Sequence, residues 1–177
     1  MIKNFDTEEA LKLLHKYNIA PQRIVHLKGV SEFAFSLAEA ISKKHPELKV
    51  NSQKVKLAAL LHDIGRGEPG DHEINSVTIL KNEGLEELAE IVIHGSIYEI
   101  YLIRGIDDPT LLPSSIENKI VAYADTRFKD KPVSMEERWA EIEVRRGGEK
   151  EKIQSLNMAK ERFRKMEKEL LTLAGRL

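Results

Sequence analysis

The chain has 177 residues, 41% of them hydrophobic and 32% charged, a balance that supplies one buried core and excludes global disorder. Its formal net charge of −1 gives no overall basic field for gripping a duplex nucleic acid, although a local positive patch could still hold a small phosphorylated ligand. It has no cysteine, which excludes disulfides, thiolate metal sites and a cysteine nucleophile, so any metal must be held by nitrogen and oxygen.

The first ten residues carry Asp6, Glu8 and Glu9 instead of a basic start followed by an apolar run. No apolar stretch approaches the ~20 residues that span a bilayer, so the expectation is a cytoplasmic protein with no membrane partner. Thr7 reads as the cap of a first helix with Glu8 and Glu9 in its first turn, ending at Asn18. Pro21 suits the first turn of a second helix reaching about Lys44. Ser52 caps a third, ending near Gly65, and Asp71 a fourth after a glycine-rich turn. Gly84 precedes a fifth, roughly Leu85 to Gly95. The stretch Ser96 to Ile103 is ambiguous and is followed by a loop. Two capping boxes, Ser114 with Glu117 and Ser134 with Glu137, open further helices. Gly147 and Gly148 separate these from a charged last helix ending near Leu173. The fold expected is all-α, an irregular bundle of about eight helices in a single domain over 1–177, with a core over 21–128 and C-terminal helices over 134–177. Leu156, Phe163, Leu170 and Leu177 recur every seven residues. That spacing suits a stripe packed on the domain, with a homodimer through it as the alternative.

Among the six histidines, two stand on apolar stripes. His26 lines up with Val30, Phe33, Leu37 and Ile41, and His62 with Val55, Ala58 and Ala59. Asp125 follows Val121 on a stripe that continues to Phe128. An ionised carboxylate on such a face is costly unless it is paired or metal-bound. His15 and His45 sit beside lysines and read as solvent-side residues.

The segment Leu57-Ala58-Ala59-Leu60-Leu61-His62-Asp63-Ile64-Gly65, with His26 one helix earlier and Ala122-Tyr123-Ala124-Asp125 later, resembles the HD superfamily of metal-dependent phosphohydrolases. The resemblance covers roughly Pro21 to Phe128. It implies that His26, His62, Asp63 and Asp125 ligate a divalent metal. His72 and His94 fall where a subset similar to HD-GYP phosphodiesterases and HD-type diadenosine polyphosphate hydrolases supplies two further ligands, although the Gly-Tyr-Pro element of the former is absent. One or two ions are therefore expected, among Fe, Mn, Co, Ni, Zn or Mg, with Asp63 able to reach both.

The resemblance implies hydrolysis of a nucleotide or a similar small phosphorylated molecule through metal-bound hydroxide, as a phosphomonoesterase or phosphodiesterase. Asp63 and Arg66 would be the catalytic residues, Arg66 as a planar donor to phosphate. Arg127 and Lys129 are weaker candidates of the same kind. Two readings of other classes stand beside this one: a regulatory domain that binds a nucleotide without hydrolysing it, and a di-iron oxygenase.

Overall fold

The structure, a computed structural model, describes residues 5–176. Residues 1–4 of the acidic start and Leu177 of the seven-residue stripe lie outside the described residues. Among those described there are nine α-helices and no strand: α1 (Thr7–Lys16), α2 (Pro21–Lys44), α3 (Ser52–Leu61), α4 (His72–Asn82), α5 (Glu86–Ala89), α6 (Ile97–Ile103), α7 (Ile116–Thr126), α8 (Met135–Arg145) and α9 (Lys150–Ala174). The all-α expectation holds, and the ambiguous stretch after Ser96 is the short α6. No helix among the described residues is long and apolar enough to cross a membrane.

The 24 residues of α2 make a rod of about 36 Å that forms the spine. Its buried face, from Leu27 and Val30 through Ala34 and Leu37 to Ile41, packs along α3 and α7. The last helix, α9, lies against α2, α6 and α7 with Leu156, Phe163 and Leu170 buried. The seven-residue spacing is thus a face packed on its own domain. Gly29 sits in the middle of α2, where glycine costs about 1 kcal/mol relative to alanine. A Cβ at that position would lie 2.1 Å from Phe128 Cε1. The half-buried ring of Phe128 packs where a side chain at this position would sit.

Three helix starts differ from the caps expected, each by one residue. Asp6, not Thr7, accepts the N–H groups of Glu8 and Glu9 at 2.8 and 3.0 Å. Asn51, not Ser52, accepts from Lys54 N at 3.0 Å. Ser115, not Ser114, accepts from Asn118 N at 3.0 Å. Glu117 leaves its expected capping box to accept from Asn51 N at 2.8 Å and Lys54 Nζ at 3.1 Å, tying α7 to the start of α3. The box of Ser134 with Glu137 is present as expected.

The fifth helix is a correction of larger size: α5 ends at Ala89, and residues 90–96 are irregular. The carbonyls of Ile91 and Ile93 accept from the Asn118 side-chain amide at 3.0 and 2.6 Å, and His94 N–H is taken by Glu73. Partners on α7 and α4 satisfy groups that a longer helix would have paired internally.

Candidate metal centre

Five separate parts of the chain bring the six predicted ligands together. His26 stands on α2, and His62 caps α3 with Asp63 directly after it. His72 opens α4, His94 lies in the irregular segment before α6, and Asp125 is in the last turn of α7. His62, Asp63 and His94 are buried, while the Asp125 side chain is 20% exposed and that of His72 is 27% exposed.

The His-Asp-Ile-Gly run ends in a 3-10 turn, Ile64–Gly67, that passes under α4. A Cβ on Gly65 would lie 2.4 Å from both the His72 carbonyl oxygen and Ser76 N, so only glycine lets α4 approach this closely. Gly65 N–H donates to Ser76 Oγ at 2.9 Å, and that hydroxyl donates to the His72 carbonyl at 2.9 Å. These contacts bring His72 Nε2 to 3.2 Å from Asp63 Oδ1.

Three of the imidazoles are oriented in the same way. His26 Nδ1 meets the Lys129 carbonyl at 3.2 Å, His62 Nδ1 the Ala59 carbonyl at 2.7 Å and His94 Nδ1 the Val92 carbonyl at 2.8 Å. A carbonyl only accepts, so each Nδ1 carries the proton and each Nε2 faces the cluster. His26 Nε2 lies 3.1 Å and His62 Nε2 3.5 Å from Asp125 Oδ1, and His94 Nε2 lies 3.5 Å from Asp63 Oδ1.

His62 Nε2, Asp63 Oδ1 and His72 Nε2 are buried and form no hydrogen bond. Leaving such atoms unpaired costs about 1–3 kcal/mol each, a cost that a shared cation would remove. The potential ligand atoms of His26, His62 and Asp125 lie within 4.8 Å of one another, as do those of His62, Asp63 and His94, and those of His72, Glu73 and His94. These overlapping groups are able to hold a divalent metal, and their imidazole and carboxylate donors suit such an ion.

The electrostatics point the same way. Burial alone would raise the Asp63 carboxyl, but His62, His72, His94 and Arg66 hold it well below the usual carboxylate range. Burial opposes Asp125 similarly, and His26 and His62 hold it down. Burial lowers the His72 imidazole. It would lower His94 too, yet Glu73, Asp63 and Asp125 overcome it and raise His94 to about 10. Two ionised carboxylates with Glu73 nearby thus call for positive charge in this pocket, supplied by a proton when no cation is there.

Several participants were invisible to sequence reasoning. Glu73 is 4% exposed and accepts His94 N–H at 2.9 Å. Arg23 Nη1 approaches Asp63 Oδ2 at 3.4 Å. From α9, Arg162 pairs with buried Glu99 at 2.9 Å and donates to the Gly95 carbonyl at 3.1 Å, steadying the turn that carries His94. The Glu and Arg residues involved look like ordinary helix-surface charges in a linear sequence. Only the adjacency of Glu73 to His72 could have hinted at the first.

Arg66 lies at the centre, with Nε donating to Asp63 Oδ2 at 2.5 Å and its side chain 30% exposed. Arg127 does not face the site: it bonds Glu167 at 3.0 Å and the Val133 carbonyl at 2.5 Å. Lys129 borders a second cavity with Arg23 and His26. His15 is exposed, and His45 pairs with Glu47 at 3.0 Å, both away from the cluster.

A cavity of about 150 Å³ adjoins the centre, lined by His72, His94, Arg66 and Asp125 on one side and by residues of α6, α8 and α9 on the other. Arg138, Arg145, Arg146 and Lys152 also border it, paired with Glu141 or Glu149, and Asp71 and Glu73 lie in the same lining.

Among curated proteins, the chain is 34% identical over 149 residues to an uncharacterized protein of Methanocaldococcus jannaschii, covering 79% of this chain and 86% of that protein. It is 32% identical over 178 residues to a tRNA (cytidine(56)-2'-O)-methyltransferase of Thermoplasma volcanium, covering 96% of this chain but only 48% of that enzyme. No solved structure matches the chain. The HD domain family matches residues 23–127, a segment that runs from the first turn of α2 to the end of α7 and holds all six clustered histidines and aspartates. The chain belongs to the HD domain family.

Proposed function

We propose that the protein is a metal-dependent phosphohydrolase acting on a nucleotide or a similarly small phosphorylated molecule. The observation that carries this reading is the convergence of unpaired imidazole and carboxylate atoms beside a cavity rimmed by arginine and lysine. His26, His62, Asp63 and Asp125 would hold one divalent ion, and His72 and His94 with Asp63 a second. Such ions would supply Lewis acidity toward a phosphoryl oxygen and a water of lowered pKa.

The chain's own residues do the rest. Asp63 presents Oδ1 to His72 and His94 and Oδ2 to Arg66 and Arg23, so one carboxylate ties the ligand cluster to two guanidinium groups. Arg66 brings positive charge to the edge of the cavity, where a phosphoryl group would sit. Glu73 accepts from the His94 N–H and Arg162 donates to the Gly95 carbonyl, so both hold the main chain of the His94 turn. The Lys129, Val92 and Ala59 carbonyls accept the Nδ1 protons of three imidazoles, so each Nε2 is already aimed at the cluster. The activity of the Thermoplasma enzyme is not carried over, since this chain spans about half its length.

The test is a screen of nucleotides, dinucleotides and sugar phosphates with Mn, Co, Fe and Mg supplied in turn. Release of phosphate or of a nucleoside phosphate that depends on the metal and is lost in Asp63→Ala supports the reading. Metal-loaded protein that hydrolyses none of them sinks it. Oxygen uptake by the reduced iron form would replace it with an oxygenase.

A further inference from the structure

Residues 90–96 carry His94 without a helix to hold it, so the place of this candidate ligand depends on what grips the main chain around it. Glu73 of α4 and Asn118 of α7 do so from within the family-matched segment. A further grip comes from α9, which lies wholly beyond residue 127, where the family match ends. Arg162 Nη2 donates to the Gly95 carbonyl at 3.1 Å, and the Ser155 and Ser96 hydroxyls meet at 3.0 Å. The two residues that follow His94 are thus both tied to one helix.

Arg162 is itself held. Its Nε and Nη2 donate to the two carboxylate oxygens of Glu99 on α6, each at 2.9 Å, and Glu99 is 5% exposed. A buried carboxylate needs such a partner, and a guanidinium meets it with two bonds that fix the plane of the fork. In that plane Nη2 also reaches Gly95. An ammonium is a point charge on a flexible stem, and satisfies Glu99 without fixing a third bond. Further along, Glu169 accepts from Lys119 Nζ at 2.8 Å and Glu167 from Tyr123 Oη at 2.9 Å. These bonds moor α9 to α7, the helix that carries Asp125. One helix therefore reaches from the Asp125 side of the cluster to the His94 side.

The ligand groups divide unequally between these sides. His94 belongs to two of the three overlapping groups, one with His62 and Asp63 and one with His72 and Glu73. It is absent from the group of His26, His62 and Asp125. A displaced 94–96 turn disturbs the first two and leaves the third intact.

We propose that Arg162, held by Glu99, is a positioning residue that sets His94 for the second ion, so that α9 decides whether the centre binds one metal ion or two. The proposal rests on the metal-site part of the phosphohydrolase reading and not on hydrolysis itself. Loss of an outer partner of a ligand typically costs about 10- to 100-fold in metal affinity, and here the cost falls on one ion of the two.

The chelator-treated chain is titrated with Mn in the absence of any substrate, and bound metal is counted by elemental analysis. Two equivalents are expected in the unaltered chain. Arg162→Lys should weaken one of them by about 10- to 100-fold and leave the affinity of the other unchanged. Ser155→Ala, which removes the hydroxyl contact to Ser96, should weaken the same equivalent by a smaller factor, and decides alone if Arg162→Lys does not fold. Glu169→Gln, which loosens α9 at its pair with Lys119 away from the turn, should change neither.

Unchanged binding in Arg162→Lys, equal weakening of both equivalents, the same selective loss in Glu169→Gln, or a parent chain that takes one equivalent overturns the proposal, even if nucleotides are hydrolysed. Selective loss of one equivalent upholds it even if no phosphate ester is cleaved, in which case the hydrolase reading fails alone.

Discussion

Glu73 accepts the backbone N–H of His94 at 2.9 Å across 21 residues of chain, so one buried carboxylate fixes the main chain of a candidate ligand. Its replacement should show in stability before any assay of activity. Glu73→Ala leaves that N–H unpaired and should destabilise the chelator-treated protein by about 1–3 kcal/mol. Glu73→Gln keeps an acceptor and should lose less. Denaturant melts measure both, and an alanine variant as stable as the parent would mean that the contact carries no weight.

Metal content separates the candidate ligands. His62→Ala or Asp63→Ala should lose most bound metal, because His62 belongs to two of the overlapping groups and Asp63 Oδ1 lies 3.2 Å from His72 Nε2 and 3.5 Å from His94 Nε2. Replacing His72 and His94 together with alanine should remove one of two equivalents and leave the other. Elemental analysis after reconstitution with Mn or Fe decides it. A single equivalent in the unaltered protein under excess metal would rule out the dinuclear arrangement.

Proton release follows from His94. In the ion-free protein its imidazole is raised to about 10, so it is charged at pH 7 and must lose its proton to ligate. Calorimetry of metal uptake in buffers of different ionisation heat should show release of about one proton at pH 7. No release would contradict ligation by His94. A folded value raised above the ordinary 6.5 stabilises the ion-free fold fully below that pH, and the contribution is lost as pH rises through about 10. Thermal melts in chelator should accordingly fall over that window.

Arg66 is tested by a change that keeps its charge. Arg66→Lys removes the Nε donor to Asp63, a charge-assisted bond in a class worth about 1.5–3 kcal/mol. The ratio kcat/KM should drop by roughly 10- to 100-fold if that stabilisation is lost from the transition state. An unchanged ratio would leave Arg66 as a surface residue.

The parts legible in the sequence were those governed by local rules. Pro21 marked the start of α2, the Ser134–Glu137 box marked α8, and the apolar stripes pointed His26 and His62 inward. Where a distant partner competes with a local one, the linear pattern misleads. Asn118 claims two carbonyls and ends α5 early, and Glu117 serves Asn51 instead of its own helix start. Glu73 and Arg162 escaped for a related reason. Each belongs to a helix whose visible role is packing, and its place at the site depends on how that helix docks.

His26 and Asp125 meet across 99 residues. Closing a loop of that length costs about 4 kcal/mol beyond a constant, so the pairing forms only when the spine and α7 have already found each other. A chain emerging during synthesis acquires His26, His62, Asp63, His72 and His94 before it has Asp125. It therefore carries five of the six groups while still lacking the architecture that aligns them. An ion that binds only the finished cluster favours the closed form by about 2.7 kcal/mol at a hundredfold excess over its dissociation constant. Such an ion would act as a clasp on a structure already assembled.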